Sequence, residues 1–145
     1  MSISSRFAVA THILTLLALE NKGNPTTSEY LAGSAGTNPV VIRRILSPLD
    51  KAGLVKTCSG VGGGVQLARD PRQITLRDVF QAVERPNTLF SLGKRKKNLS
   101  CICSRNIDPI MEAVFQGAET AVSDTLSQTT LAQVAQQVIE AEGRD

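Results

Sequence analysis

The chain has 145 residues, of which 41% are hydrophobic, and 16 lysines and arginines stand against 13 aspartates and glutamates. This size predicts one domain with a real core, and the lack of a long apolar run or a leader-like start predicts a cytoplasmic protein without a membrane span. Three cysteines do not suggest an extracellular disulfide framework, and five aromatic residues are too few to stack along single-stranded nucleic acid.

The charge is unevenly distributed along the chain. Residues 1–105 hold 15 lysines and arginines against 6 acids, whereas residues 106–145 hold one arginine against seven acids. Only the first part can therefore face a polyanion, although a basic region alone is more often a solvated surface.

The N-terminal part predicts two helices separated by a break at Asn21 to Pro25. Ser4 or Ser5 can cap a first helix through the apolar run RFAVATHILTLLALE, and Thr26 with Glu29 can form a capping box for a short second helix. The glycines in residues 33–37 predict a turn, so that a third helix follows in a helix-turn-helix arrangement.

The third helix is predicted over residues 38–51 and is amphipathic. Asn38 can cap it and Pro39 suits its first position. One face is apolar, and the other carries Arg43, Arg44 and Ser47. Because Pro48 lies inside this helix, a kink is expected there, with the residues that read bases ahead of it.

A β-hairpin is predicted directly after this helix. Gly53 can end the helix, residues 54–58 and 65–69 can form two strands, and the glycine-rich residues 59–64 can form the turn between them. A basic helix followed by such a ribbon predicts a winged helix-turn-helix, which binds double-stranded DNA with the helix in the major groove.

Twelve residues are the candidates for DNA contact, on the third helix and on the ribbon that we call the wing. They are Thr37, Asn38, Pro39, Val40, Arg43, Arg44, Ser47, Ser59, Gly60, Val61, Gly62 and Gly63.

Two other functions compete with DNA binding. The same winged helix could serve only as a protein-interaction module. An enzyme could use residues 60–64 as a phosphate cradle, but these glycines precede a strand-like segment and not a helix, and the single histidine lies on an apolar helix. The sequence therefore predicts a protein that is not an enzyme.

The remainder of the chain predicts a helix, a loop and two more helices. Thr75 and Asp78 form a capping box before a helix that closes the winged-helix domain, residues 1–84. Residues 85–106 are predicted to be a loop with the basic run Lys94 to Lys97 and two cysteines, and the basic run is more simply a solvated segment than a phosphate contact. Residues 107–145 are predicted to form a long helix from Asp108, with Pro109 in its first turn, and a short one from Leu131.

The long helix carries an apolar stripe that needs a cover, and a second copy of the chain is the natural one. A homodimer would match the two half-sites of a palindromic operator. The candidate interface residues are Ile110, Met111, Val114, Phe115, Ala118 and Val122.

The order of these motifs resembles the Rrf family of bacterial winged-helix transcriptional regulators, whose members include IscR, NsrR and CymR, and looks closest to YwnA-like members. The resemblance covers nearly the whole chain and rests on NPVVIRR, AGLV, GVGGGVQLARDP, ITLRDVFQAVE, SRNIDPIMEAV and TTLAQV. It implies a homodimeric transcription factor, generally a repressor, that reads a palindromic operator with residues 38–44. It also implies that the wing, residues 59–64, lies along the minor groove.

The chain departs from the family pattern at two places. Ser59 and Val61 stand where many members have arginine and proline in the wing, which removes a side chain suited to a narrow minor groove. Iron-sulfur members have three spaced cysteines in the loop, whereas this chain has Cys101 and Cys103, with Cys58 far away in the wing. No cofactor is therefore expected, and an iron-sulfur cluster does not suit this spacing.

The cysteines support a second hypothesis. Cys101 or Cys103, close to Lys94–Lys97 and Arg105, could be a redox-reactive thiol, because positive charge favours thiolate. Oxidation, with Cys58 as a third candidate, would then shift the long helix and the spacing of two DNA-reading heads. Buried or idle cysteines are an equally good interpretation.

Overall fold

The computed structural model describes residues 4–20, 23–85 and 89–144. These residues form a mainly helical fold with one two-stranded antiparallel sheet, as the sequence predicts. A single 3-10 turn, Pro71–Gln73, precedes the fourth helix. The elements are α1 (Arg6–Leu19), α2 (Ser28–Ala35), α3 (Pro39–Lys51), β1 (Val55–Cys58), β2 (Gly64–Leu67), α4 (Leu76–Val83), α5 (Ile102–Ser127) and α6 (Leu131–Glu142).

One hydrophobic core joins the helices to the base of the sheet. Each large aliphatic side chain buried there stabilises the fold by about 1.5–3 kcal/mol relative to an exposed position. The largest fully buried side chains come from seven elements and the segments beside them: Ile13, Leu14, Leu31, Ile42, Leu49, Leu54, Val55, Val65, Ile74, Val79 and Leu131.

The start of α2 differs from the prediction. Thr27, and not Thr26, caps the helix, because its side chain accepts a hydrogen bond from the Tyr30 N–H at 3.2 Å. Thr26 instead pairs with Val65 of β2 through two backbone hydrogen bonds of 2.9 and 2.8 Å. The predicted capping box of Thr26 with Glu29 is therefore wrong, since the sheet uses the Thr26 backbone.

The end of α3 leads directly into the wing. The helix continues through Pro48 to Lys51, so the proline does not end it. Gly53 has a left-handed φ of 74°, and the N–H groups of Gly53 and Leu54 donate to the carbonyls of Asp50 and Leu49. This pair of bonds satisfies the open end of the helix and turns the chain into β1, which pairs with β2 from Val55 opposite Leu67 to Cys58 opposite Gly64.

The last helix, α6, belongs to the same core as the winged helix. It contacts α1, and Leu131 is fully buried. The Leu131 N–H donates to the Ile74 carbonyl at 2.8 Å, and the Leu76 N–H donates to the Thr129 carbonyl at 2.9 Å. The sequence predicts that α6 belongs to the dimerisation segment 107–145, but in the structure α6 packs against the N-terminal helices.

The long helix α5 begins six residues before the predicted start at Asp108. Its first residue is Ile102, so Pro109 lies in the helix interior and the irregular segment ends at Cys101 and not at 106. Asn106 Nδ2 donates to the Ile102 carbonyl, and the Arg105 N–H donates to the Cys101 carbonyl. These local hydrogen bonds stabilise the first turn of α5. Because this turn has no apolar periodicity, the sequence pattern does not predict it as helix.

No helix within residues 4–20, 23–85 and 89–144 is both long and apolar enough to cross a membrane.

Candidate nucleic-acid interface

The N-terminal end of α3 is presented at the surface by the turn that precedes it. Gly36 has a left-handed φ of 71° and ends α2. The Thr37 N–H donates to the Ala32 carbonyl at 3.0 Å, and Asn38 Oδ1 accepts from the Val41 N–H at 3.1 Å. Asn38 therefore has the predicted capping role, which commits part of its side chain to the helix.

The two faces of α3 separate as predicted. Ile42, Ile45, Leu46 and Leu49 are buried. The opposite face exposes Val40, Arg43, Arg44 and Ser47, while Thr37 and Pro39 are half-buried at its N-terminal end. A helix with this exposure can enter a groove without disturbing the core.

The two arginines of this face have different surroundings. Arg43 Nη2 lies 2.9 Å from Glu29 Oε1 in an ion pair between α3 and α2. Arg44 makes no ion pair or hydrogen bond within the part of the chain that the structure describes. The sequence pattern does not predict the Glu29 contact, because this acid fits a capping box and the ion pair joins residues 14 positions apart.

The wing projects a short glycine turn from β1 and β2. Ser59, Gly60, Val61 and Gly62 are exposed, and Gly63 is half-buried. Gly60 and Gly62 have left-handed φ values of 91° and 77°, which only glycine adopts without strain. The turn is closed by the Gly63 N–H, which donates to the Gly60 carbonyl at 3.0 Å. Val61 is the fully exposed residue at the tip.

The same geometry excludes the phosphate cradle of a Rossmann or P-loop enzyme. Such a cradle needs glycines between a strand and the N-terminus of a helix. Here the glycines lie between two antiparallel strands.

The three cysteines lie in two parts of the fold, and all are free thiols. Cys58 ends β1 and is half-buried, whereas Cys101 precedes α5 and Cys103 lies in its first turn, both exposed. Within the described residues no group of three or more His, Cys, Asp or Glu could hold a metal ion. The predicted loop cysteines are therefore accessible to solvent, and Cys103 lies on a helix and not in a loop.

The six candidate interface residues all lie on α5, which buries none of its residues within the protomer. Ile110 and Val114 are 58% and 57% exposed. Met111, Ala118 and Val122 are half-buried, and the half-buried Phe115 ring stacks on Phe90 with 5.2 Å between centroids. The stripe is therefore apolar and only partly covered.

The chain is similar to known proteins over most of its length. A model of the Rrf2 family, described as iron-dependent transcriptional regulators, matches residues 3–137. The chain is similar to YwnA of Bacillus subtilis, named as an HTH-type transcriptional regulator, with 36% identity over 91% of this chain and 96% of YwnA.

Two solved structures are similar over nearly the whole chain. CymR, the global cysteine regulator of B. subtilis, is 25% identical, with a TM-score of 0.70 over 94% of this chain and 98% of CymR. A protein of Lactobacillus plantarum named as a transcriptional regulator is 27% identical, with a TM-score of 0.78 over 94% of this chain and 91% of its own. These similarities confirm the predicted fold and the regulator class, which is not a class of enzymes.

Proposed function

The chain belongs to the Rrf2 family of transcriptional regulators, and from that premise we propose that two copies form a homodimeric repressor that binds a palindromic operator in double-stranded DNA. The observation that carries the proposal is the exposed polar face of α3 beside the exposed wing, on a helix whose other face is core. Such a helix fits the width of the major groove of B-form DNA. A cytoplasmic location follows from access to that DNA.

In this proposal α3 reads the bases with its N-terminal half. Thr37, Asn38, Pro39 and Val40 lie at the end that enters the groove, because recognition helices contact base edges mainly through their first turns. Arg44 is the candidate for a base or phosphate contact, since its guanidinium is exposed and has no partner in the described residues. Ser47 lies one turn further along the same exposed face.

The wing is proposed to lie against the minor groove and the neighbouring phosphates. Its exposed tip offers the Val61 side chain and the backbone N–H groups of Ser59 to Gly62, and it carries no arginine. Apolar side chains contact the minor groove by shape, and backbone N–H groups can bind phosphate. The wing is therefore expected to orient the protein on the DNA more than to read the base sequence.

The proposed dimer forms through α5. Ile110 and Val114 are more than half exposed in one protomer, and no residue of this 26-residue helix is buried. An apolar stripe of this length favours an isologous contact with a second copy, and the acidic C-terminal part keeps this contact away from the DNA.

Selection of bound sequences from random duplex DNA tests the proposal. The purified full-length protein should enrich a palindrome whose half-sites lie about one helical turn, ~34–36 Å, apart or a multiple of it. Enrichment of a single unrepeated half-site would contradict the dimer, and no enrichment would contradict sequence-specific binding.

Arg44→Ala tests the role of the recognition helix on the selected palindrome. If Arg44 makes a bidentate base contact, the variant should lose about 1–3 kcal/mol of binding free energy on the palindrome and show no such loss on random DNA. Equal losses of binding free energy on the palindrome and on random DNA would show that Arg44 contacts a phosphate. Lys94→Ala, the same loss of charge in an exposed loop residue, is the control and should leave the palindrome preference unchanged.

The operator affinity is further proposed to depend on the oxidation state of Cys101 or Cys103. Both thiols are exposed where α5 begins, so a modification there can reorient the helix that spaces the two reading heads. Operator affinity should differ between reduced and oxidised wild type, and Cys101→Ser with Cys103→Ser should abolish the difference. If the operator affinity of the double variant changed on oxidation as much as that of wild type, the proposed role of Cys101 and Cys103 would be overturned.

We also propose that the protein holds no iron-sulfur cluster, although the family description mentions iron. Cys101 and Cys103 are one residue apart, Cys58 lies on the wing, and the single histidine lies on α1. This donor set does not fit the three or four ligands that a cluster needs from one chain. Protein purified without oxygen should contain no stoichiometric iron and sulfide, and finding both would overturn the proposal.

A further inference from the structure

A cavity of about 260 Å³ lies between the basic loop and the start of α5. Its wall includes Arg95, Lys96, Lys97, Cys101, Cys103 and Asp108. Lys94 does not line it, although it belongs to the same basic run. Both exposed cysteines therefore border one cationic cavity.

Hydrogen bonds and ion pairs hold the loop against the helix and shape this cavity. Arg95 Nη2 lies 2.6 Å from Asp108 Oδ1, and Lys97 Nζ lies 4.0 Å from Asp108 Oδ2. The Asn98 N–H donates to Ser104 Oγ at 2.8 Å, which ties the loop to the first turn of α5.

The charge of the cavity wall is not balanced by the protein. Three cationic side chains face one carboxylate, and Lys96 makes no ion pair or hydrogen bond within the described residues. The N-terminal end of α5 lies at the same place, and the helix dipole there also favours an anion. A small ligand with a carboxylate would therefore find unpaired positive charge next to two thiols.

We propose that this cavity binds small anionic disulfides and directs them to Cys101 or Cys103. The thiolate sulfur of one cysteine attacks one sulfur of the ligand, a protein–ligand S–S bond forms, and the ligand's own S–S bond breaks. The other half of the ligand leaves as a thiolate, which takes up the proton that the cysteine gave to solvent. The inference deepens the proposed thiol response, because it names the chemical class that would deliver the signal.

Two probes of similar length and opposite charge test it on the reduced full-length protein. One is 3,3′-dithiodipropionate, which carries two carboxylates, and the other is cystamine, which carries two ammonium groups. Formation of the mixed disulfide is followed by intact mass spectrometry, and each rate is divided by the rate of the same probe with a free model thiol. This division removes the different leaving-group reactivity of the two probes.

The expected normalised rate is higher for dithiodipropionate than for cystamine, and peptide mapping should place the adduct on Cys101 or Cys103. Lys96→Gln should lower the dithiodipropionate rate about fivefold, the factor for one unit charge at ~4 Å in water. Lys94→Gln is the matched control, because Lys94 belongs to the same basic run but does not line the cavity. It should change the rate less than about twofold, since a more distant charge is screened.

Three results would overturn the inference: equal normalised rates for the two probes, equal effects of Lys94→Gln and Lys96→Gln, or an adduct on Cys58 alone. None of these measurements involves DNA. If the protein selects no operator but reacts with the disulfides as expected, the proposed function is refuted and this inference stands. If the protein selects an operator but does not react as expected, this inference is refuted and the proposed function stands.

Discussion

In the candidate nucleic-acid interface, Glu29 forms an ion pair with Arg43, one of the two exposed arginines of α3. Glu29 and Arg43 are both exposed, so the direct contribution of this pair to stability is small, about 0–1 kcal/mol. Its effect on binding is larger in principle, because a carboxylate on this face repels phosphate and neutralises the guanidinium that would meet it. In the proposed DNA complex, Glu29 would therefore limit how much of the Arg43 charge is available to the DNA.

We expect Glu29→Gln to raise DNA affinity. Removing one unit charge at contact distance corresponds to about a fivefold gain, and the gain should fall as salt is added. Fluorescence anisotropy with a labelled duplex measures it. Glu112→Gln, the same charge change on α5, is the control, and equal gains for both variants would show a general charge effect and no role for the Arg43 contact.

A second exposed pair has a pH-dependent contribution to stability. Hydrogen bonds from the Arg72 side chain and from the Arg72 N–H to the Asp70 carboxylate lower the pKa of Asp70 from 3.8 to about 2. Because the native state binds this proton less tightly than the unfolded state, the stabilisation is complete above the unfolded pKa and is lost as the pH falls from 3.8 to about 2.

We therefore expect wild type to melt at a higher temperature than Asp70→Asn near neutral pH, and this difference to shrink as the pH falls below 3.8 and through about 2. Thermal melts followed by circular dichroism measure it. Asp124→Asn replaces an exposed acid whose side chain makes no ion pair within the described residues. The difference between its melting temperature and that of wild type should not shrink comparably at low pH. If the melting temperatures of wild type and Asp70→Asn differed by the same amount down to the lowest pH, the pH-dependent contribution of the Asp70–Arg72 pair would be refuted.

At the scale of elements, the wing is held by the backbone of the segment before α2. A Cβ added to Gly64 would clash with the Thr26 carbonyl oxygen, because β2 pairs closely with Thr26 at this point. Glycine is therefore required here by the approach of two backbones, and it anchors the wing to the helix-turn-helix.

We expect Gly64→Ala to lower the free energy of unfolding by about 1–3 kcal/mol, the range for forced backbone strain. Gly33→Ala is the matched control, because Gly33 lies inside α2 with open space around the added Cβ. It should instead be stabilising by up to ~1 kcal/mol, the difference in helix propensity. Urea unfolding of both variants measures these changes, and equal stabilities would contradict the close approach.

For the whole molecule, the partly exposed apolar stripe of α5 is the surface through which we propose that two copies assemble. We expect Ile110→Glu with Val114→Glu to give monomers in sedimentation velocity while circular dichroism stays unchanged, because both side chains are more than half exposed in the protomer. Gln116→Glu, an exposed charge change on the same helix, should remain dimeric. A double variant with the wild-type mass would show that α5 is not the interface.

Salt dependence separates a DNA-binding dimer from a winged helix that binds only proteins. Each phosphate contact releases condensed counterions, so the logarithm of the DNA association constant should fall by about 0.9 per contact for each tenfold rise in salt. Arg44→Ala should reduce this slope by about one contact if Arg44 meets a phosphate, and should relax the sequence preference instead if it meets a base. A slope near zero for wild type would favour the protein-interaction alternative.

The sequence alone determined the features that depend on residues close together in the chain. The Asn38–Pro39 helix start, the Thr75–Asp78 capping box and the glycine turn of the wing all have the predicted geometry. Their hydrogen bonds close within a few residues, so spacing and residue type are sufficient to predict them. The amphipathic pattern of α3 likewise predicted which side faces the core.

The tertiary structure decided every pairing between distant segments. It turned Thr26 from a helix cap into a partner of β2, brought Glu29 to Arg43, placed Leu131 of α6 in the N-terminal core, and joined Arg95 to Asp108 beside the cysteines. These contacts exist only because packing of the helices brings the groups together, and no local spacing encodes that distance. The charge that remains available to a ligand or to DNA is therefore a property of the packed chain.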